Sequence, residues 1–245
     1  MSDKYYELNQ IINESRHIVF FGGAGVSTES GIPDFRSKEG LYNNLGIEFE
    51  QYSPEYLLSH ECLYYNSKVF YEFYRQKMNI LDITPNDTHN KLALMEEKGK
   101  LDCIITQNID GLHQKAGSKR VYEIHGTVLH NYCDCCFKRY PSDYLFKNNV
   151  SIPLCKCGGM IRPDVVLYGE TLPADAYRQA INAIEHADCL IIGGTSLNVY
   201  PATGMIDYFN GKYLILINKD RTVRDSDASL VFHESIGYVM NQIII

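Results

Sequence analysis

The feature that most constrains this chain is a series of short, unbroken apolar runs, each followed at once by glycine or polar residues. Ile18 to Phe21 leads into Gly22-Gly23, and residues 102–107 (DCIITQ) lead into Asn108-Ile109-Asp110-Gly111. Residues 188–194 (DCLIIGG) lead into Thr195-Ser196, and residues 213–218 (YLILIN) into Lys219-Asp220. Apolar runs without polar alternation read as strands buried on both faces. Residues 121–125 (VYEIH) and 165–170 (VVLYGE) read as further strands. Between the runs lie helical stretches: residues 4–15, with Tyr5, Leu8, Ile11 and Ile12 on one face, then 64–78, 86–98 and 173–187. Strand, loop and helix in repetition predict a parallel sheet covered on both faces. In such sheets ligands bind beyond the carboxyl ends of the strands, which is where the polar residues fall.

The bulk properties narrow the function. The 245 residues are 45% hydrophobic, enough for a sizeable core, and the net charge of −7 argues against a nucleic-acid partner. The opening residues lack the basic-then-apolar pattern of a secretory signal, and no apolar run approaches the roughly 20 residues that span a bilayer. The chain is therefore expected in the cytoplasm, without membrane or nucleic-acid partners; a monomer is expected, although nothing in the sequence sets the oligomeric state. Five of the eight cysteines (Cys133, Cys135, Cys136, Cys155, Cys157) crowd into one stretch, which in a reducing compartment reads as a metal site. Four thiolates suit tetrahedral zinc, and a site closed by four protein ligands is structural and not catalytic. Cys103 and Cys189 lie in apolar runs and read as buried, inert thiols.

The most specific segment is GGAGVSTESGIPDFR, residues 22–36. Gly23 and Gly25 allow a tight turn and close approach of the backbone to a pyrophosphate. The third glycine of a dehydrogenase fingerprint is missing, with Thr28 in its place, and the continuation Asp34-Phe35-Arg36 does not resemble a dehydrogenase. Gln107, Asn108 and Asp110 share one loop after a buried strand. They are placed either to bind a carboxamide and a ribose or simply to cap the following helix. His125, between a strand and Gly126, is either a packed histidine or a base working near neutral pH.

Taken together these segments resemble the sirtuin family. GGAGVSTESGIPDFR is similar to its NAD-binding signature, TQNIDGLHQKAG (106–117) to its second signature and His125-Gly126 to its catalytic pair. RPDVVLYGE (162–170) is similar to its substrate-side strand, and GTSLNVYPA (194–202) with LILIN (214–218) to its adenosine-side signatures. The resemblance spans about residues 16–240. It implies an α/β fold: a Rossmann-type doubly wound parallel sheet with a smaller zinc-binding lobe formed by insertions. The larger lobe is expected over about 1–38, 84–128 and 163–245, and the smaller over 39–83 (helical) and 129–162 (zinc-binding).

The resemblance also implies an NAD-dependent protein-lysine deacetylase acting on acylated-lysine proteins or peptides. The lysine's acyl oxygen displaces nicotinamide from the ribose, and His125 activates the ribose hydroxyl that captures the acyl carbon. The products are free lysine, nicotinamide and O-acetyl-ADP-ribose. Asn108 stabilises the reacting glycosidic geometry. Ile109 and Asp110 hold the carboxamide with Phe35, beside Gln107. Thr195, Ser196 and Asn218 contact the adenosine half, and Ala24, Thr28, Arg36 and Ile236 surround the rest. The zinc ligands are Cys133, Cys136, Cys155 and Cys157, with a Cys-x-Cys second pair and an additional Cys135 that depart from the commonest pattern. Val166 and Tyr168, with Phe35, either line a tunnel for the acyl-lysine or, in the case of Val166, simply pack. Succinyl-preferring members carry a Tyr-x-x-Arg pair; here Glu72 precedes Arg75 by three positions, so an uncharged acyl group is expected. A mono-ADP-ribosyltransferase and a non-enzymatic NAD sensor are the competing readings.

Overall fold

Every residue of Ile18–Gly22, Cys103–Thr106 and Cys189–Gly193 is buried, as runs without polar alternation require. The computed structural model describes residues 3–35 and 37–245. Arg36, expected above at the cofactor, lies outside the described residues, as do residues 1 and 2. In chain order the strands are β1 (Ile18–Gly22), β2 (Cys103–Thr106), β3 (Val121–Glu123), β4 (Gly126–Cys133), β5 (Arg139–Tyr140), β6 (Ile161–Val165), β7 (Cys189–Gly193), β8 (Tyr213–Ile217) and β9 (Leu230–Phe232). The helices are α1 (Asp3–Glu14), α2 (Pro54–Leu57), α3 (His60–Tyr65), α4 (Ser67–Lys77), α5 (Asp87–Glu97), α6 (Leu112–Lys115), α7 (Tyr144–Lys147), α8 (Ala174–His186) and α9 (Ile236–Asn241).

The main sheet has the order β3-β2-β1-β7-β8-β9, and every pairing in it is parallel. The chain winds outward from β1 to β3, then returns to the other side of β1 and winds outward again. This is the doubly wound Rossmann-type order, and its switch point lies between β1 and β7. Alternate residues serve opposite faces. Ile18 and Phe20 pack with Leu8, Ile12, Leu92 and Met240 from α1, α5 and α9. Val19 and Phe21 pack with Ala180 and Ile184 of α8 and with Met205.

The smaller lobe interrupts this winding. Its antiparallel sheet has the order β5-β4-β6 and packs with α4 around Phe70, Tyr71, Phe73, Tyr74, Leu145 and Cys133. A bulge between Thr127 and Asn131 bends β4.

Several local expectations shift. After the glycine turn, where the strand, turn and helix order of a dinucleotide site would place an α-helix, the chain makes two single 3₁₀ turns, Ala24–Val26 and Thr28–Ser30. Gly31, at φ 88°, ends the second turn, and Pro33 follows close behind. The single helix expected over 64–78 is two helices, broken at Asn66, whose φ of −138° and ψ of 47° lie outside the helical region. The expected strand at 165–170 begins earlier: β6 ends at Val165, and the chain then loops, with Tyr168 pairing to Ser59 and Gly169 at φ 88°. Helix α5 follows the sequence closely, because Asn86 accepts from the backbone of Thr88 and His89 while His89 Nδ1 accepts from Asn86 N.

That capping histidine is fully buried, and its ring lies 4.7 Å from the ring of His113, which is 1% exposed. Burial pushes His89 down to about 4 and His113 to about 3, the latter helped by His89 itself. Both stay neutral in the folded chain while their unfolded counterparts protonate below about 6.5. The unfolded state therefore gains protons first, and stability falls as pH drops through that window, by up to about 2 kcal/mol per histidine by pH 5. Glu123, which burial raises to about 7, acts in the opposite direction. His113→Phe isolates the histidine contribution: urea midpoints at pH 7 and pH 5 should differ less in the variant than in the wild type, and an equal difference would refute the assignment.

Candidate active site at the switch point of the sheet

Three strand ends meet at the switch point. Gly22 of β1 is in register with Gly193 of β7 and Thr106 of β2. Gly23 N donates to Gly193 O at 3.1 Å, Gly25 N to Gly194 O at 2.8 Å, and Gln107 N to Gly22 O at 3.0 Å. The glycines make this approach possible. A Cβ at Gly23 would lie 2.7 Å from Thr195 Cβ, and one at Gly25 would lie 2.8 Å from Gly194 Cα. Gly194 itself has φ 61°, and a side chain there would strike Val26 N. What Gly23 and Gly25 accommodate is thus the β7 loop, a requirement that precedes any phosphate.

Asn108 follows β2 and is 8% exposed. Its Nδ2 donates to Gly23 O and to Ser27 Oγ, both at 3.0 Å. Ser27 Oγ donates in turn to Asp110 Oδ2 at 2.7 Å, and Leu112 N donates to Asp110 Oδ1 at 2.9 Å. Both amide hydrogens of Asn108 are therefore committed, and Oδ1 is the atom its network leaves over. Burial raises the Asp110 carboxyl, against the lowering pull of Leu112 N and Ser27. Ser27 joins the two loops and was not singled out from sequence; its position between the expected residues Ala24 and Thr28 was the available signal. Gln107 Nε2 donates to Thr195 Oγ1 at 3.2 Å, tying the β2 loop to the β7 loop.

His125 is half-buried beyond the end of β3, where Ile124 N donates to Thr106 O. Its Nδ1 lies 3.0 Å from Gln107 O. A carbonyl can only accept, so Nδ1 carries the proton and Nε2 keeps its lone pair. Burial lowers the ring's pKa, with the Gln107 carbonyl pulling the other way. The ring is thus neutral, oriented and basic at Nε2.

Val166 N donates to His125 O at 2.9 Å, which brings the 166–170 loop to the same mouth. A buried ion pair closes that loop: Arg162 Nη1 and Nη2 donate to Glu170 Oε1 and Oε2 at 2.6 and 2.8 Å. Burial alone would raise Glu170, but the Arg162 fork, Leu167 N and His60 hold it at about 2. Phe35 packs edge-on to Tyr42, whose hydroxyl meets that of Tyr168 at 2.6 Å. Ile109 and Phe35 both lean on the small-lobe core.

The remaining expected residues are spread around this mouth. Ala24 and Thr28 are half-exposed, Thr195 is buried and Ser196 is exposed. Asn218 follows β8 and is held through Phe232 O and Asp220 O. The Ile236 side chain is buried in the core and abuts Gly193. The donor set suits a dinucleotide: polar backbone turns at the strand ends, amide and hydroxyl groups on three loops, and a buried carboxyl.

The thiol sulfurs of Cys133, Cys136, Cys155 and Cys157 lie within 4.8 Å of one another, and Cys135 is not among them. Tetrahedral zinc with 2.3 Å bonds places its sulfurs about 3.8 Å apart, close to the observed 3.4 Å (Cys133 to Cys157) and 3.7 Å (Cys136 to Cys155). The Cys-x-Cys spacing closes because Gly158 adopts φ 89° and Gly159 lies so close that a Cβ would come within 2.7 Å of Cys133 Sγ. Cys133 ends β4 and His125 precedes it; the two ends of β4 pair with Ile161 and Val165, four residues or roughly 13 Å apart along β6.

The architecture is that of a Rossmann-type nucleotide-binding protein carrying a small four-cysteine lobe. The sequence matches the Sir2 family over residues 23–201, and the chain belongs to that family. It is 54% identical over 246 residues to a protein of Clostridium acetobutylicum named NAD-dependent protein deacetylase, covering 99% of this chain and 98% of the relative. A protein of the same name from Clostridium perfringens is 54% identical over 247 residues, with both chains covered in full. Among solved structures, Sir2 with a p53 peptide and NAD+ superposes with a TM-score of 0.87 at 38% identity, covering 98% of this chain and 96% of that one. A Sir2 complex with deacetylated p53 peptide and 3'-O-acetyl ADP-ribose gives 0.90 at 37%, with the same coverage.

Cys157→Ser should lower the melting temperature and the bound zinc, while Cys135→Ser should change neither. Metal analysis of the wild type should give about one zinc per chain. A metal-free protein of unchanged stability would refute the site.

Proposed function

We propose that this protein is an NAD-dependent protein-lysine deacetylase, with His125 as general base and Asn108 as the second catalytic residue. The observation that carries the mechanism is the bond between His125 Nδ1 and Gln107 O, because it leaves Nε2 as the free basic atom of a neutral ring. NAD, when bound, supplies an electrophilic ribose carbon and the hydroxyl that captures the acyl group. His125 Nε2 would take the proton from that hydroxyl. Asn108 Oδ1, fixed by the bonds its amide makes to Gly23 and Ser27, would face the reacting ribose. Asp110 and Ile109 would hold the carboxamide, with Gln107 beside them and Phe35 screening the reacting carbon from water. Ala24, Thr28, Thr195, Ser196, Asn218, Ile236 and Arg36 would hold the rest of the dinucleotide. One zinc on Cys133, Cys136, Cys155 and Cys157 would stabilise the small lobe without joining the chemistry.

The substrate would be an acylated lysine in a protein or peptide, reaching the site between the 166–170 and 195–199 segments. Arg75 supports an uncharged acyl group: its guanidinium is committed to Leu145 O and Val150 O and is not offered to a substrate carboxylate. The lobes would meet along β4 and β6, which cross the boundaries placed near residues 128 and 162. Eight free cysteines fit a reducing cytoplasm, and among the described residues no helix is long and apolar enough to cross a membrane.

Incubation with NAD and an acetyl-lysine peptide should release nicotinamide only when the peptide is present; release independent of peptide would favour ADP-ribosyl transfer. His125→Ala should lower kcat by roughly 100- to 10,000-fold, the usual contribution of a general base. Because the neutral ring is active and burial lowers its pKa, kcat/KM should be near its plateau at pH 7 and fall only below the usual histidine range. Acetyl peptide should outperform succinyl peptide, and the reverse would overturn the role given to Arg75.

A further inference from the structure

Glu29 has no part in the chemistry above, yet its carboxylate joins two elements far apart in sequence. It is the exposed middle residue of the Thr28–Ser30 turn. Ser235 Oγ donates to Glu29 Oε1 at 2.7 Å, and Gly237 N approaches the same oxygen at 3.4 Å. The Ser235 hydroxyl also accepts from Tyr238 N, so it caps α9 while it holds Glu29. Gly237 is shaped for this contact, since a Cβ there would collide with Glu29 Oε2. An acceptor, a bridging hydroxyl and a cleared space thus converge on one carboxylate.

The elements joined are the ones assigned to the cofactor. The turn carries Thr28, whose hydroxyl donates back to Gly25 O. The start of α9 carries Ile236, packed against Gly193 at the switch point. We propose that Glu29 is a positioning residue for NAD, fixing the Thr28 turn against the first turn of α9 and so setting the width of the cofactor mouth. This inference rests on the NAD-binding reading of the site. Glu29 makes no contact with His125, Asn108 or the 166–170 loop among the described bonds, so its influence falls on NAD affinity and not on the chemical step.

Glu29→Ala tests this in the full-length chain, with NAD affinity measured by calorimetry and turnover by nicotinamide release. If the turn occupies its binding geometry about a tenth of the time once released, the NAD dissociation constant and KM rise roughly tenfold. KM for the acetyl-lysine peptide should stay within about twofold, as expected for a site outside the coupled network. Glu29→Gln keeps the acceptor oxygen and should restore NAD affinity, which a bulk loss of stability would not explain. Gly237→Ala should reproduce the alanine phenotype by displacing the carboxylate, and the double variant should be no worse than either single one. An active enzyme whose Glu29→Ala variant binds NAD normally, or whose glutamine variant is as weak as the alanine variant, overturns the positioning role alone. A wild type that neither binds NAD nor releases nicotinamide overturns the deacetylase reading as well.

Discussion

The closest constraint in this molecule is backbone against backbone. Where β1 and β7 end side by side, the loops that follow touch through Gly23, Gly25 and Gly194, with no room for side chains between them. Everything assigned to catalysis hangs from that contact. Gln107 reaches Gly22 through its backbone and Thr195 through its side chain. Asn108 reaches Gly23, and His125 reaches Gln107. A Cβ inserted at Gly25 would separate two loops that position five or more polar groups, which is why substitution there threatens the site before it threatens the core.

The polar network works because each of its members has limited freedom. Asn108 spends both amide hydrogens, Ser27 its only proton, and Asp110 accepts at both oxygens. Buried polar groups that are fully paired specify one arrangement, whereas partly paired ones tolerate several. The same logic governs His125: a carbonyl partner chooses its tautomer, and desolvation favours the uncharged ring.

The main sheet was legible in sequence because parallel strands buried on both faces leave a plain signal, unbroken apolar runs ending in glycine or polar residues. Cys133, Cys136, Cys155 and Cys157 were legible for a similar reason, since thiol spacing survives any fold. The 3₁₀ turns after Gly23 were not legible, because local propensity permits a helix that Gly31 and Pro33 then cut short. Nor was the loop at 166–170. Its bend combines Gly169 at φ 88° with the Arg162–Glu170 fork, a pairing eight residues apart that no periodicity announces. Ser27 was hidden by its commonness: a serine in a glycine turn signals nothing until the loop carrying Asn108 and Asp110 folds against it.

The small lobe adds a constraint of its own on the substrate mouth. Tyr168 N donates to Leu58 O and His60 N to Tyr168 O, so the loop beside Val166 is strapped to the helical insertion. His60 also reaches Glu170, and its ring lies 4.5 Å from that of Tyr64, whose hydroxyl contacts Asp134 next to Cys133. The segment that opens the cysteine cluster and the segment that pairs with His125 are thereby joined through packed side chains. A buried ion pair such as Arg162–Glu170 contributes little net stability, but losing one partner leaves a charge unpaired at a cost of about 3–5 kcal/mol. Such a pair tolerates one loop conformation and penalises the alternatives. The cysteine cluster holds the far end of β4 and the ion pair holds the 166–170 loop, so the insertions constrain the segment next to His125 from two directions.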